Sequence, residues 1–172
     1  ELLGLVLAKY EEEHWPIAVT VHHTAGDTAD CDAYVAWVAN YHIFGEGHGW
    51  GDIGYQLMVC EDDAGLHIYE GRMCTGNDDF SSMWCIGAHA SGYNDGYVGI
   101  SLVGDFSNGS PTASEFNTLT AVVARAMFEA DINSSDLYGH RDFNSTACPG
   151  DQLYALLPDM EETVDWCQSC GY

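Results

Sequence analysis

Between Ile17 and Val21 the chain runs through apolar and β-branched residues without a break, the pattern of a short buried strand, and it delivers His22 and His23 at its C-terminal end. From about Asp30 to His42 the period lengthens. Tyr34, Trp37, Val38 and Tyr41 recur at helical spacing, and Asp30 stands where an N-cap belongs. The glycine-rich Gly45-Glu46-Gly47-His48-Gly49-Trp50-Gly51 then predicts a loop. Ile53 to Cys60 and Leu66 to Tyr69 read as two strands of a hairpin, joined by the acidic turn Glu61-Asp62-Asp63-Ala64-Gly65. Gly71 to Ile86 is polar and irregular, and Val98 to Val103 is another strand, ended by Gly104-Asp105. Thr112 and Glu115 have the spacing of a capping box, and Phe116, Leu119, Val123, Ala126, Met127 and Ala130 form the buried stripe of the helix behind it, to about Asp131. Asp136 to Tyr138 makes a last short strand leading into His140. Short helices follow over Gly150 to Leu157 and Asp159 to Cys167, and an amphipathic helix over Leu2 to Glu13 precedes the whole. Helices and strands alternating in this way predict one α/β domain.

The totals agree. A chain of 172 residues with 47% hydrophobic content builds a single core. The expected division is a core over 17–157, an N-terminal helical extension over 1–16 and a cysteine-containing tail over 158–172. No apolar run is long enough to span a bilayer; Leu2 to Leu7 is too short and no positive region precedes it. A chain opening at Glu1 is consistent with removal of a leader or larger precursor. With 4 Lys and Arg against 27 Asp and Glu, a net charge of -23, the surface repels phosphate backbones, which argues against nucleic acid and anionic membranes as partners. The aromatic and hydrophobic content is too high for acidic disorder, leaving a heavily solvated shell.

The 7 cysteines are Cys31, Cys60, Cys74, Cys85, Cys148, Cys167 and Cys170. If Cys148 ligates a metal, the rest suffice for three disulfides with 15 connectivities, as in an oxidising, extracytoplasmic setting. Cys74 and Cys85 bracket a polar loop and make a plausible local pair. Cys167 and Cys170 read as a local bridge, a redox pair or the ends of separate staples. Asn108, Asn133 and Asn144 each begin an N-glycosylation pattern.

The chemistry gathers in Tyr138-Gly139-His140-Arg141-Asp142-Phe143-Asn144-Ser145-Thr146-Ala147-Cys148-Pro149-Gly150. Histidine and cysteine are both good zinc ligands, and the distance from His140 to Cys148 requires a loop that folds back on itself. A third ligand must come from elsewhere, and Val21-His22-His23-Thr24-Ala25 is the obvious donor. Side chains alternate on a strand, so His23 points away from His22 and reads as packing or support.

These pieces occur in a family order. Val21-His22-His23-Thr24-Ala25, Tyr41-His42, Trp50-Gly51-Asp52-Ile53-Gly54-Tyr55 and Tyr69-Glu70-Gly71-Arg72 come first. Gly87-Ala88-His89, Gly92-Tyr93-Asn94, Val98-Gly99-Ile100, Gly139-His140-Arg141 and Thr146-Ala147-Cys148-Pro149-Gly150 follow. From about Val19 to Leu157 the chain resembles the peptidoglycan recognition proteins and the zinc-dependent N-acetylmuramoyl-L-alanine amidases. The resemblance implies a central mixed β-sheet flanked by helices. It implies that His22, His140 and Cys148 hold Zn2+, that Tyr55 stands beside it as a catalytic group, and that Thr146 assists. The implied substrate is peptidoglycan or its muropeptides, cut at the amide joining N-acetylmuramic acid to L-alanine. His42, Trp50, Arg72, His89 and Asn94 match positions near the binding groove. Trp50 and Arg72 have alternative readings as a hydrophobic plug and an ion-pair partner, and His89 and Asn94 as a capped turn.

Two departures stand out. Met73-Cys74 follows Glu70-Gly71-Arg72 where relatives carry a pair that discriminates diaminopimelate-type from lysine-type stems, so this preference is open. Cys31 also lacks the nearby partner common in animal members, which leaves its pairing open. Three functional readings follow: an active, secreted amidase; a peptidoglycan receptor without catalysis; or a self-associating building block of an extracellular assembly. The presence of Cys148 with Tyr55 favours the first.

Overall fold

Strand β1 (Ala18–His23) is buried along its whole length, because it lies inside a five-stranded sheet with helices on both faces. The computed structural model describes residues 14–46, 48–72 and 80–170. The other strands are β2 (Leu57–Asp62), β3 (Gly65–Glu70), β4 (Tyr97–Leu102) and β5 (Leu137–Gly139), in the order β3-β2-β4-β1-β5. β4 and β5 run parallel to β1, β2 runs parallel to β4, and the β2–β3 hairpin adds the one antiparallel pair. The sheet is therefore mixed and the domain single, as the resemblance implied.

Alternation along the strands sorts the two faces. Val19 and Val21 of β1, Leu57 and Val59 of β2 and Ile100 and Leu102 of β4 join the large core, packed against helices α2 (Ala113–Glu129) and α4 (Leu157–Ser169). Met58 and Cys60 face the opposite way, into a smaller cluster under helix α1 (Cys31–Phe44). Thr20 and His22 project on this second side, opposite Gly99 and Ser101 of β4 in register.

The local signals behave as read. Asp30 caps α1, its side chain accepting from Ala33 N at 3.0 Å. Thr112 and Glu115 close a capping box on α2, the Thr112 hydroxyl accepting from Glu115 N at 3.1 Å and the Glu115 carboxylate from Thr112 N at 2.7 Å. Glu70 performs a similar task outside its strand, accepting from Phe80 N and from Ser82 N where the chain re-enters a short helical turn.

Other features differ from the expectation. The stripe of α1 is narrower: Cys31, Val38 and His42 are buried, while Trp37 and Tyr41 are exposed and stack on each other at 5.5 Å. The hairpin turn is shorter, since β2 extends through Asp62 and β3 starts at Gly65. The first of the two short helices, α3, covers only Asp151–Tyr154, whereas α4 begins earlier than read, buries Leu157, Met160 and Val164, and packs against α2. Cys31 does find a partner, far along the chain: a disulfide to Cys60 ties α1 to β2. Cys167 and Cys170 are free thiols, so the three-disulfide arrangement is not realised. The predicted helix over Leu2 to Glu13 and the Cys74–Cys85 pair involve residues outside those described.

Candidate functional site

The side of the sheet under α1 collects the predicted ligands. His22 is delivered by β1 and is almost wholly buried. β5 ends at Gly139, and a short turn over His140–Asp142 places His140 at once beside it, with ring centroids of His22 and His140 4.6 Å apart. The chain then folds back, and the Cys148 Sγ accepts from His23 N at 3.4 Å and lies 3.6 Å from His22 Nδ1. One donor atom each from His22, His140 and Cys148 lies within 4.8 Å of the others.

Arg141 holds this return loop. Its guanidinium donates to the carbonyls of Ala147 and Cys148, pairs with Asp151 at 2.7 Å and lies over the Tyr154 ring. The cation thus fastens the segment carrying the thiol to the start of α3. His23 faces the other way, as alternation requires, and its Nδ1 accepts from Phe106 N at 3.2 Å.

Burial sets the protonation of the cluster. It lowers the pKa values of His22 and His140, so both imidazoles are neutral, and it pushes the Cys148 thiol up to about 12. Two neutral imidazoles and a thiol kept from ionising by low polarity are a donor set that a divalent cation completes, because the cation supplies the charge that stabilises thiolate. Two nitrogens and one sulfur suit zinc and leave a fourth position open. A second group of Cys31, Asp62 and His67 is equally close in space, but the Cys31 sulfur is committed to its disulfide and offers no thiolate.

Tyr55 enters from the segment before β2, its ring 5.2 Å from His22 and 5.4 Å from His42. Burial, with the Cys148 sulfur nearby, raises its pKa well above the ordinary phenol, so it remains a hydrogen-bond donor throughout the neutral range. Thr146 is exposed on the return loop, and its hydroxyl accepts from Cys148 N at 3.2 Å, closing the turn in front of the thiol.

The remaining predicted positions split into two kinds. Trp50 is partly exposed and packs on His42 at 4.8 Å, forming an aromatic wall beside Tyr55. His42 is buried, and its Nδ1 accepts from Gly54 N at 3.0 Å, which ties α1 to the loop carrying Tyr55. The Arg72 guanidinium reaches the carbonyls of Trp50 and Ile53, each at 3.4 Å, and so braces the same loop. Asn94 caps a turn, its Oδ1 accepting from His89 N at 2.8 Å and Ala90 N at 2.9 Å. His89 is buried beside His22, with Nδ1 3.0 Å from His22 Nε2.

Three contributors were not singled out from sequence. Asn144 accepts from His140 Nε2 at 3.0 Å and donates to Ser91 O; its place one helical turn after His140 was the available signal. That engagement conflicts with the glycosylation pattern read at Asn144. Gln56 is fully buried, donating to Cys85 O and accepting from Gly99 N, and only the tertiary fold reveals it. His48 packs between Tyr41 and Trp50, 4.5 Å from each ring, and extends the aromatic wall.

Known proteins resemble this arrangement. The sequence model of a family described as N-acetylmuramoyl-L-alanine amidase matches residues 13–151. A human N-acetylmuramoyl-L-alanine amidase is 33% identical over 153 residues, covering 84% of this chain and 24% of that protein, so the chain spans about a quarter of that relative. Peptidoglycan-recognition protein SC2 of Drosophila melanogaster is 31% identical over 140 residues, 78% of this chain and 68% of that protein. Among solved structures, Drosophila PGRP-LB aligns with a TM-score of 0.69 and 29% identity over 85% of this chain and 82% of that one. The ectodomain complex of peptidoglycan recognition proteins LCa and LCx bound to tracheal cytotoxin contains a chain that aligns at 0.70 and 28%, over 85% and 84%.

Proposed function

Because the chain belongs to the N-acetylmuramoyl-L-alanine amidase family, which includes the peptidoglycan recognition proteins, we propose that it is a zinc-dependent amidase acting on peptidoglycan. The observation that carries this reading is the convergence of donor atoms from His22, His140 and Cys148 beside the Tyr55 ring. Members that bear recognition names and members that bear amidase names both stand among the relatives, so membership alone does not separate binding from cleavage.

His22, His140 and Cys148 would hold the zinc. In that position a zinc ion supplies an acidified water and polarises a carbonyl. The bond cut is the amide between the lactyl group of N-acetylmuramic acid and L-alanine: its C–N bond breaks, water adds, and a carboxyl group and a free amine result. Tyr55, protonated at neutral pH, donates to the carbonyl oxygen as negative charge develops there. Thr146 holds the return loop at the rim, where its hydroxyl also meets the substrate. Trp50 offers an aromatic face to the glycopeptide, while His42 and Arg72 set the loop on which Trp50 and Tyr55 are mounted.

The amidase unit extends past the expected end of the core at 157, because α4 puts Met160 and Val164 into the large core and packs on α2. The Cys31–Cys60 disulfide supports an extracytoplasmic, secreted setting. Among the described residues no helix is long and apolar enough to cross a membrane.

Mass spectrometry of digested peptidoglycan fragments, with and without a chelator, tests the reading. Release of intact stem peptides beginning at L-alanine, stopped by chelation and restored by zinc, is the expected result, and the products also report the stem type preferred. Bound zinc without any cleavage would replace hydrolysis by recognition, and zinc-independent assembly into large particles by a structural role.

A further inference from the structure

The His89 ring lies in a place that the fold has cleared for it. Gly99 is in the middle of β4, where glycine weakens a strand, and a Cβ added there would come within 2.4 Å of His89 Cγ. A Cβ at Gly87 would come within 2.5 Å of His89 Cδ2. Asn94 fixes the backbone on either side by accepting from His89 N and Ala90 N. Two bare positions and a capped turn thus press one imidazole flat against the sheet, next to His22.

The hydrogen bonds of that imidazole have one consistent solution. Its Nε2 lies 3.1 Å from Tyr97 O, and a carbonyl oxygen only accepts, so Nε2 carries the hydrogen. In a neutral imidazole the other nitrogen is then an acceptor, and Nδ1 of His89 lies 3.0 Å from His22 Nε2. His22 Nε2 must therefore donate. The lone pair of His22 is left on Nδ1, the atom 3.6 Å from Cys148 Sγ. His140 reaches the same state by another route, its Nε2 donating to Asn144 Oδ1 while the Asn144 amide donates to Ser91 O.

We propose that His89 is a positioning residue: it relays the direction of the Tyr97 carbonyl to His22, locking His22 in the tautomer whose Nδ1 is the metal-binding lone pair. The inference rests on the zinc-site reading above and deepens it. It moves His89 from the binding groove to the support of a ligand, and it gives Gly87 and Gly99 a reason: they are the floor of the seat. Partners of this kind orient ligand imidazoles and set their basicity, and losing one typically weakens metal affinity about 10–100-fold.

The test has two readouts. In the metal-free protein, long-range proton–nitrogen NMR on the imidazoles is expected to show His22 and His89 each protonated on Nε2. His22 protonated on Nδ1 would overturn the proposal without any variant being made. Zinc affinity is then measured by competition with a chromophoric chelator, with the thermal stability of the metal-free protein followed in parallel. His89→Ala is expected to weaken zinc binding about 10–100-fold, whereas His89→Asn, whose side-chain oxygen is bonded to Cγ as Nδ1 is and accepts in its place, recovers most of it. Gly99→Ala, which displaces the ring without removing a polar group, is expected to weaken binding as well. Affinity within twofold of wild type in His89→Ala overturns the inference alone, as does equal weakening by Ala and Asn that merely tracks lost stability. A wild-type protein that binds no zinc overturns the site reading and this inference together.

Discussion

Cys148 Sγ lies 3.6 Å from His22 Nδ1, although 126 residues separate them in the chain. The approach is possible because β1 and β5 are parallel neighbours, so the end of β1 and the loop leaving β5 meet on one side of the sheet. Replacing either residue by alanine removes one of three protein ligands. His22→Ala and Cys148→Ala are each expected to abolish hydrolysis and one-to-one zinc binding while retaining much of the affinity for glycopeptide. Equilibrium dialysis and product analysis check this; cleavage at the wild-type rate in either variant would show the ligand assignment to be wrong.

Tyr55→Phe keeps the ring against His22 and His42 but removes the donor. Zinc should stay bound, while turnover falls on the order of 10²-fold, the usual effect of losing one oxyanion-stabilising donor. KM should change far less than kcat. Equal turnover in the variant would remove Tyr55 from the chemistry.

The disulfide between Cys31 and Cys60 closes a segment of 29 residues between α1 and β2. Chain-entropy arguments for a loop of that size give about 3.6 kcal/mol of stabilisation. The double variant Cys31→Ser with Cys60→Ser should lose about that much in urea unfolding. A loss below about 1 kcal/mol would mean that packing under α1, not the cross-link, holds the helix in place.

Histidines make the metal-free protein sensitive to acid. Of the 8 histidines, His14, His22, His23, His42, His89 and His140 all have lowered pKa values with burial as the main cause, His42 and His89 at about 4. Unfolded histidine protonates near 6.5, so between about 6.5 and 4 the unfolded chain binds more protons than the folded one. Stability therefore falls as pH drops through this window. Thermal midpoints measured between pH 7.5 and 4 should decline. His42→Gln should flatten the curve, and an unchanged slope would show that His42 titrates normally in the fold.

Asp62 adds a second, lower window. Hydrogen bonds from Cys31 N, His67 and Ala64 N hold its carboxyl at about 2, below the ordinary 3.8. A depressed carboxyl stabilises the fold above its unfolded pKa, and this contribution is lost as pH falls from about 4 towards 2. Asp62→Asn should remove this acid limb of the unfolding curve and leave the histidine limb unchanged. An identical acid limb in the variant would rule Asp62 out as its source.

Much of the framework was legible in the sequence because its signals are local. Asp30 before an aromatic helix and Thr112 three residues ahead of Glu115 satisfy backbone donors within one turn, and both caps form as read. Short runs rich in β-branched and apolar residues marked β1 and β4, broken only by the small or hydroxyl residues Thr20, Gly99 and Ser101, as suits a sheet covered on both faces. The histidines and the cysteine were legible as chemistry, since few other uses explain a strand-end His-His with a distant His-to-Cys loop.

What only the tertiary structure decided depends on which strands pair and in what register. Register sets Thr20 beside Gly99, which is what puts the His89 ring over β4 and against His22. The partner of Cys31, the inner roles of Gln56 and Asn144, and the outward turn of Trp37 and Tyr41 arise in the same way. Each is a contact set by the order of strands in the sheet, and local hydrophobic period carries no information about that order. The amino acids alone named the groups that could hold a metal; the sheet decided which nitrogen of His22 faces the sulfur.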